Sequence, residues 1–241
     1  MANFNTHLIV GATVSLIVSE TLISMKILSP TLASVAFFLG TLGSLMPDID
    51  SNHSKSIKVS LSMISILITM LLISAKSKVY SLIELLIMSI FILSFIRFGI
   101  IEFFRLTSKH RGMFHSIPVA FIWGISTTII SNTIIGLNSL ISWIFGFMII
   151  VGYITHLILD ELYSVDLVNK KIKKSFGTAL KLFRLKTNID KMQTLLIYVI
   201  LVLLIQISPT TTIFIETIFS NKAVATFINI LLPNDGRWFI H

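Results

Sequence analysis

Cysteine is absent from the chain, which removes disulfide staples and thiolate metal sites and leaves His, Asp and Glu as the available ligands. Charge is scarce too: 12% of the 241 residues are Asp, Glu, Lys or Arg, against about one quarter in soluble domains. From Gly112 to Leu159 there is none at all. These shortages exclude an ordinary soluble enzyme, and no repeat or low-complexity tract points to a fibrous or disordered chain. What fills the space is apolar. Hydrophobic residues make up 54% of the chain and mean hydropathy is +0.92, the composition of an all-α, polytopic membrane helix bundle.

A helix crossing the hydrocarbon core needs about 20 mostly apolar residues. Runs of that order fall at about 8–25, 31–47, 57–75, 80–101, 117–135, 138–159 and 194–214, so about seven spans are expected, six at least. No basic segment precedes the run from Leu8, which therefore reads as a retained first helix and not a cleaved signal. Residues 1–215 form the expected integral membrane domain, with a basic loop over 160–193. Residues 216–241 read as an interfacial tail with a Pro-Asn-Asp-Gly turn.

The net charge of +8 would suit nucleic acid, but its distribution favours a membrane explanation and no nucleic-acid partner is expected. With seven spans, fourteen of the nineteen Lys and Arg fall on the side of the N-terminus, which places that side in the cytoplasm and the C-terminus outside. Lys170, Lys171, Lys173, Lys174, Lys181, Arg184, Lys186 and Lys191 dominate the excess, interleaved with Leu180, Leu182, Phe183 and Leu185. Such a segment either lies on anionic lipid headgroups or serves only to set topology.

Ionisable groups in so apolar a chain are costly, and they recur here at the ends of the hydrophobic runs. His7 opens the first run, and Pro47-Asp48-Ile49-Asp50 closes the second, with His53 just beyond. His110-Arg111-Gly112-Met113-Phe114-His115 precedes the fifth, and His156-Leu157-Ile158-Leu159-Asp160 closes the sixth. All of them fall on the side assigned to the cytoplasm. His241 is terminal and incidental.

The spacings sort these groups. His156 and Asp160 are one helical turn apart, so both could reach one metal, or Asp160 could orient the imidazole from behind; a buried hydrogen-bonded pair is the plain alternative. Gly152 and Thr155 beside them are small enough for a neighbouring helix to approach closely. Asp48 and Asp50 repel each other unless a cation or basic group stands between them, though an acidic solvated turn also fits. His110 and His115 are five apart and need a turn at Gly112 to converge. The fork of Arg111 suits a phosphate or carboxylate, or anchors the cytoplasmic side. Ser116-Ile117-Pro118 reads as a helix start with Ser116 as cap. His and carboxylate without sulfur suit zinc first, with manganese, iron or magnesium as alternatives, and the ligand number allows one ion or two.

The order His7, Gly-Ser-Leu-Met-Pro-Asp-Ile-Asp at 43–50, His-Arg-Gly-Met-Phe-His-Ser at 110–116 and Gly-Tyr-Ile-Thr-His-Leu-Ile-Leu-Asp at 152–160 resembles the bacterial YdjM-type family. Its members are described as LexA-regulated (SOS-response), inner-membrane, metal-dependent hydrolases. The resemblance covers roughly residues 5–190 and implies a multi-pass inner-membrane hydrolase whose ligands are His7, Asp48, Asp50, His110, His115, His156 and Asp160. A distant similarity of the family to zinc-dependent phospholipase C and P1-type nucleases implies a phosphoester substrate. Phe114 departs from the small polar residue usual in the family and His53 from its usual Pro, so ligation is not carried onto His53.

The expected function is a metal-dependent hydrolase acting on a lipid or lipid-linked phosphoester from the cytoplasmic side. Asp48 or Asp50 would serve as general base and Arg111 would steady the phosphate. A structural metal clamp or stress-response scaffold is the alternative, and a metal or proton transporter a third, since transport sites usually lie nearer the midplane.

Overall fold

The computed structural model describes residues 3–50, 59, 61–66, 69–70, 73, 80–95, 115–166, 171–172, 180–183, 185, 187–220, 224–225 and 228. Apart from one minute strand pair, its elements are helices: α1 (Phe4–Ser24), α2 (Pro30–Gly43), a 3-10 turn (Met46–Asp50), α3 (Leu82–Ser94), α4 (Ile117–Ile129), α5 (Ser139–Leu162), α6 (Asn188–Ile207) and α7 (Thr212–Ile218). Among the described residues, α1, α4 with its π-helical extension Ile130–Ile134, α5 and α6 are long and apolar enough to cross a membrane, while α2 and α3 are shorter apolar helices. The expected 57–75 run is described only in fragments.

Local chemistry sets most boundaries. Asn3, Ser29 and Asn138 cap α1, α2 and α5 by accepting the backbone N–H three residues on. Ser116 occupies the N-cap position of α4, but its side chain makes no capping bond. The α4–α5 hairpin turns where expected. Asn132 donates to the Leu137 carbonyl at 2.9 Å, and Gly136 takes φ +79°, which a side chain would resist.

Two boundaries differ from the sequence expectation. The last long helix begins at Asn188, inside the expected loop, because Thr187 and Asp190 form a reciprocal capping box. It stops at Ile207 because Ser208 precedes Pro209 and takes an extended conformation, and α7 then starts as a separate helix. Val165–Asp166 pairs antiparallel with Lys171–Ile172 inside the basic loop, a hairpin too short for alternation to announce it.

The core lies among α1, α2, α4 and α5, with Ala36, Ala120, Ile144, Met148, Tyr153 and Leu157 fully buried. Within a bilayer, helix association rests on close packing, and small residues permit it. A Cβ added at Gly152 would collide with the Gly40 carbonyl oxygen, and one at Gly43 with the Ile149 carbonyl oxygen, so α2 and α5 meet backbone to backbone. Gly124 and Gly146 do the same for α4 and α5. By contrast α6 exposes Leu195, Leu196, Val202, Leu203 and Ile205, the faces of a helix bathed in lipid.

Gly152→Ala is therefore expected to lower stability by about 1–3 kcal/mol through forced helix separation. Thermal unfolding of the detergent-solubilised protein checks this, and an unchanged melting temperature would contradict the backbone contact.

Candidate metal centre

The bundle gathers four segments at one end. His7 stands in the second turn of α1, Asp48 in the 3-10 turn after α2, His115 two residues before α4, and His156 and Asp160 in the last turns of α5. Neighbouring helices run antiparallel, so a helix start, a helix end, another start and another end coincide there.

The imidazole of His156 is fully buried, and its Nδ1 lies 2.8 Å from the Ser44 carbonyl oxygen. A carbonyl can only accept, so Nδ1 carries the proton and, in the neutral ring, the Nε2 lone pair is left for another partner. Nε2 of His156 lies 3.7 Å from Asp48 Oδ1 and 3.6 Å from Asp160 Oδ2. Nε2 of His115 lies 3.6 Å from Asp48 Oδ1 and 3.7 Å from Asp160 Oδ2. His7 Nε2 approaches the other oxygen of Asp160, Oδ1, at 3.3 Å, and its ring stacks on His156 at 3.6 Å between centroids.

These separations exceed the usual range of about 2.7–3.2 Å for N–H···O hydrogen bonds. Nε2 of His115 and of His156 are buried without a hydrogen-bond partner, which such groups seldom tolerate. Ligands about 2.0–2.1 Å from a tetrahedral ion stand about 3.3–3.4 Å from one another, so the 3.6–3.7 Å edges need close by only a few tenths of an ångström to hold one. Two overlapping ligand groups share His156: His7, His156 and Asp160, and Asp48, His115 and His156. The donor set, imidazole with carboxylate and no sulfur, could hold a divalent metal ion.

Exposure is uneven. His7, His156 and Asp160 are sealed, whereas the side chains of His115 and Asp48 are 16% and 31% accessible. Burial raises the Asp48 carboxyl, but the adjacent His115, His156 and His7 rings outweigh it and hold the group below its ordinary value. Asp48 is therefore ionised and able to accept a cation.

Five of the expected ligands, His7, Asp48, His115, His156 and Asp160, meet in this cluster. Asp50 ends the 3-10 turn, and its side chain lies outside the described residues, as do His110, Arg111, His53, Phe114 and most of the basic 170–191 segment. Sequence reasoning missed Ser44. Its carbonyl orients His156, while its hydroxyl reaches the carbonyls of Thr41 at 2.7 Å and His7 at 3.2 Å, joining both histidines through one residue. The sign was the Gly40-Thr-Leu-Gly43-Ser44 run, where small residues let α1 and α5 close on α2.

An all-helical membrane bundle with a buried His/Asp cluster at one end is thus the class of protein that fold and site define. The chain belongs to the YdjM inner membrane protein family, whose family model matches residues 1–213. No curated protein and no solved structure matches it.

Purified protein is expected to carry stoichiometric divalent metal by elemental analysis, His156→Ala and Asp160→Ala to fall to background, and His53→Ala to retain it. Metal content indifferent to His156 would refute the assignment. Acid stability gives a second check. A carboxyl with a depressed folded pKa stabilises the fold above its unfolded value, about 3.9, and that contribution is lost as pH falls through the lower folded value. Asp48→Asn is expected to flatten this part of an acid titration of the metal-free protein below about pH 4.

Proposed function

We propose that this protein is a metal-dependent hydrolase of the membrane, acting on a phosphoester of a lipid or lipid-linked substrate from the cytoplasmic side. The observation that carries the reading is the set of Nε2 and carboxylate atoms 3.6–3.7 Å apart, sealed around the imidazole nitrogens and accessible at Asp48, whose side chain is 31% exposed. A structural clamp needs every ligand position filled by protein and gains nothing from an accessible side. The excess of Lys and Arg on the side of the N-terminus supports the cytoplasmic placement.

Held in this cluster, a divalent cation, zinc first and manganese, iron or magnesium otherwise, supplies Lewis-acid polarisation of a phosphoryl oxygen and activation of water near neutral pH. His7, His156 and Asp160 bind and orient it from the buried side. With His115, His156 and Asp160 holding the ion, Asp48, ionised and the most accessible acid of the cluster, would be left to take a proton from the attacking water as general base. Asp50, two residues on, and His110, five before His115, extend the ligand set and allow a second ion. Arg111 offers two parallel N–H donors to the phosphate. The basic 170–191 segment would hold anionic headgroups.

Metal-loaded protein in liposomes is expected to release phosphate or a phosphorylated headgroup from a panel of lipid phosphomonoesters, diesters and diphosphates. Chelation should abolish the release, and Asp48→Asn should slow it by about 10²–10⁴-fold. If the metal-loaded wild type releases nothing from any of the three classes, the hydrolase reading is withdrawn in favour of the clamp.

A further inference from the structure

A second polar group stands in α1, well away from the cluster. Glu20 is thirteen residues beyond His7, about 20 Å along the helix at roughly 1.5 Å per residue. That places it near the opposite end of the bundle, one turn before α1 stops at Ser24. It borders a groove of about 280 Å³ between α1 and α2, walled by Leu16, Ile23, Ala33, Phe37 and Phe38 and lined on its polar side by Ser19. This is close to the lower bound of about 300 Å³ for small-molecule pockets.

The groove differs from ordinary helix packing in its hydroxyls. On α1, Thr13, Ser15, Thr21 and Ser24 each donate to the carbonyl four residues back, at 2.7–2.9 Å, the usual way a hydroxyl is satisfied in an apolar setting. Ser19 does not. It is 2% exposed, and its Oγ has no hydrogen-bond partner. Beside it, Glu20 is exposed, and its carboxylate makes no ion pair or hydrogen bond among the described residues. A buried orphan hydroxyl and an exposed carboxylate near the end of α1, together at the rim of an apolar groove, call for a ligand that donates hydrogen bonds at one end and is hydrocarbon at the other.

We infer that this groove binds a membrane lipid with a primary ammonium headgroup, of the phosphatidylethanolamine class. The ammonium offers three donors and a positive charge to the Glu20 carboxylate and the Ser19 hydroxyl, and an acyl chain lies along Leu16, Ile23, Phe37 and Phe38. A trimethylammonium headgroup has the charge but no donor. A glycerol headgroup has donors, but its lipid bears a net negative charge that Glu20 repels. The site stands apart from the metal cluster and does not depend on its chemistry.

Full-length protein exchanged into mixed micelles with phosphatidylethanolamine, phosphatidylcholine and phosphatidylglycerol of identical chains tests this, with retained lipid read by native mass spectrometry. The wild type is expected to retain the ethanolamine lipid at least several-fold over both others. Glu20→Gln should abolish the preference and Ser19→Ala should weaken it, both with metal content unchanged. Equal retention of the three lipids by the wild type, or an undiminished preference in Glu20→Gln, overturns the proposal. Should Glu20→Gln fail to fold, Ser19→Ala carries the test alone, an unchanged preference again overturning it.

Discussion

The contact on which the rest depends is the backbone-to-backbone approach of α2 and α5 at Gly40 and Gly152. A helix ends with carbonyls that have no partner within the helix, and in an apolar surround each must be met by some other donor. Ser44, the residue closing α2, presents such a carbonyl, and the close approach brings the Nδ1–H of His156 to it across 112 positions of sequence. One contact therefore satisfies a helix terminus and fixes the tautomer and orientation of an imidazole. Without it, Nε2 of His156 has no defined direction, and the shared corner of both ligand groups is lost. The same residue secures the third helix, since its hydroxyl bonds the His7 carbonyl where α1 crosses. A carbonyl holding the far nitrogen of a ligand histidine is how metal sites commonly steer their first ligands, and here it is made from the bundle's own packing.

Placing the cluster at helix ends has electrostatic consequences. The last turn of α5 carries the negative end of its dipole, and Asp160 adds a carboxylate there, an arrangement unfavourable by itself and relieved by a cation. His7, His115 and His156 surround the two carboxylates, so positive charge or a metal is the natural complement of the whole group. The position also argues against a transport pathway. Transport sites sit near the midplane on interrupted helices, whereas α1 and α5 run unbroken past this cluster to the opposite end.

Sequence showed the chemistry more clearly than the architecture. His7, Asp48, His115, His156 and Asp160 were legible because ionisable residues are rare in this chain, and their places at the ends of apolar runs already put them at one level. The hairpin between α4 and α5 was legible for the same reason, a long uncharged stretch whose turn-forming residues Asn132, Gly136 and Asn138 cluster near its middle. The end of α6 was not, because apolar residues continue past Pro209 and hydropathy alone does not register one proline. Nor was its start, where the Thr187–Asp190 box lies among basic residues that read as loop. Ser44 escaped notice because its role depends on a carbonyl, which every residue has. Ser19 escaped because a hydroxyl in an apolar helix is ordinary until its neighbours all bond backward and it alone does not.

The uneven sealing of the cluster follows the elements that carry its ligands. A site whose only task is to staple helices gains most by burying every ligand, because a low-dielectric surround strengthens each ion–ligand attraction and excludes competing water. Here the three ligands held by α1 and α5 are sealed while the two on connecting segments are not. The more accessible pair comes from the 3-10 turn after α2 and from the residues leading into α4, outside the glycine contacts of the core. Helices α1 and α5 thus carry the sealed ligands, and the more accessible ones come from the connections between helices.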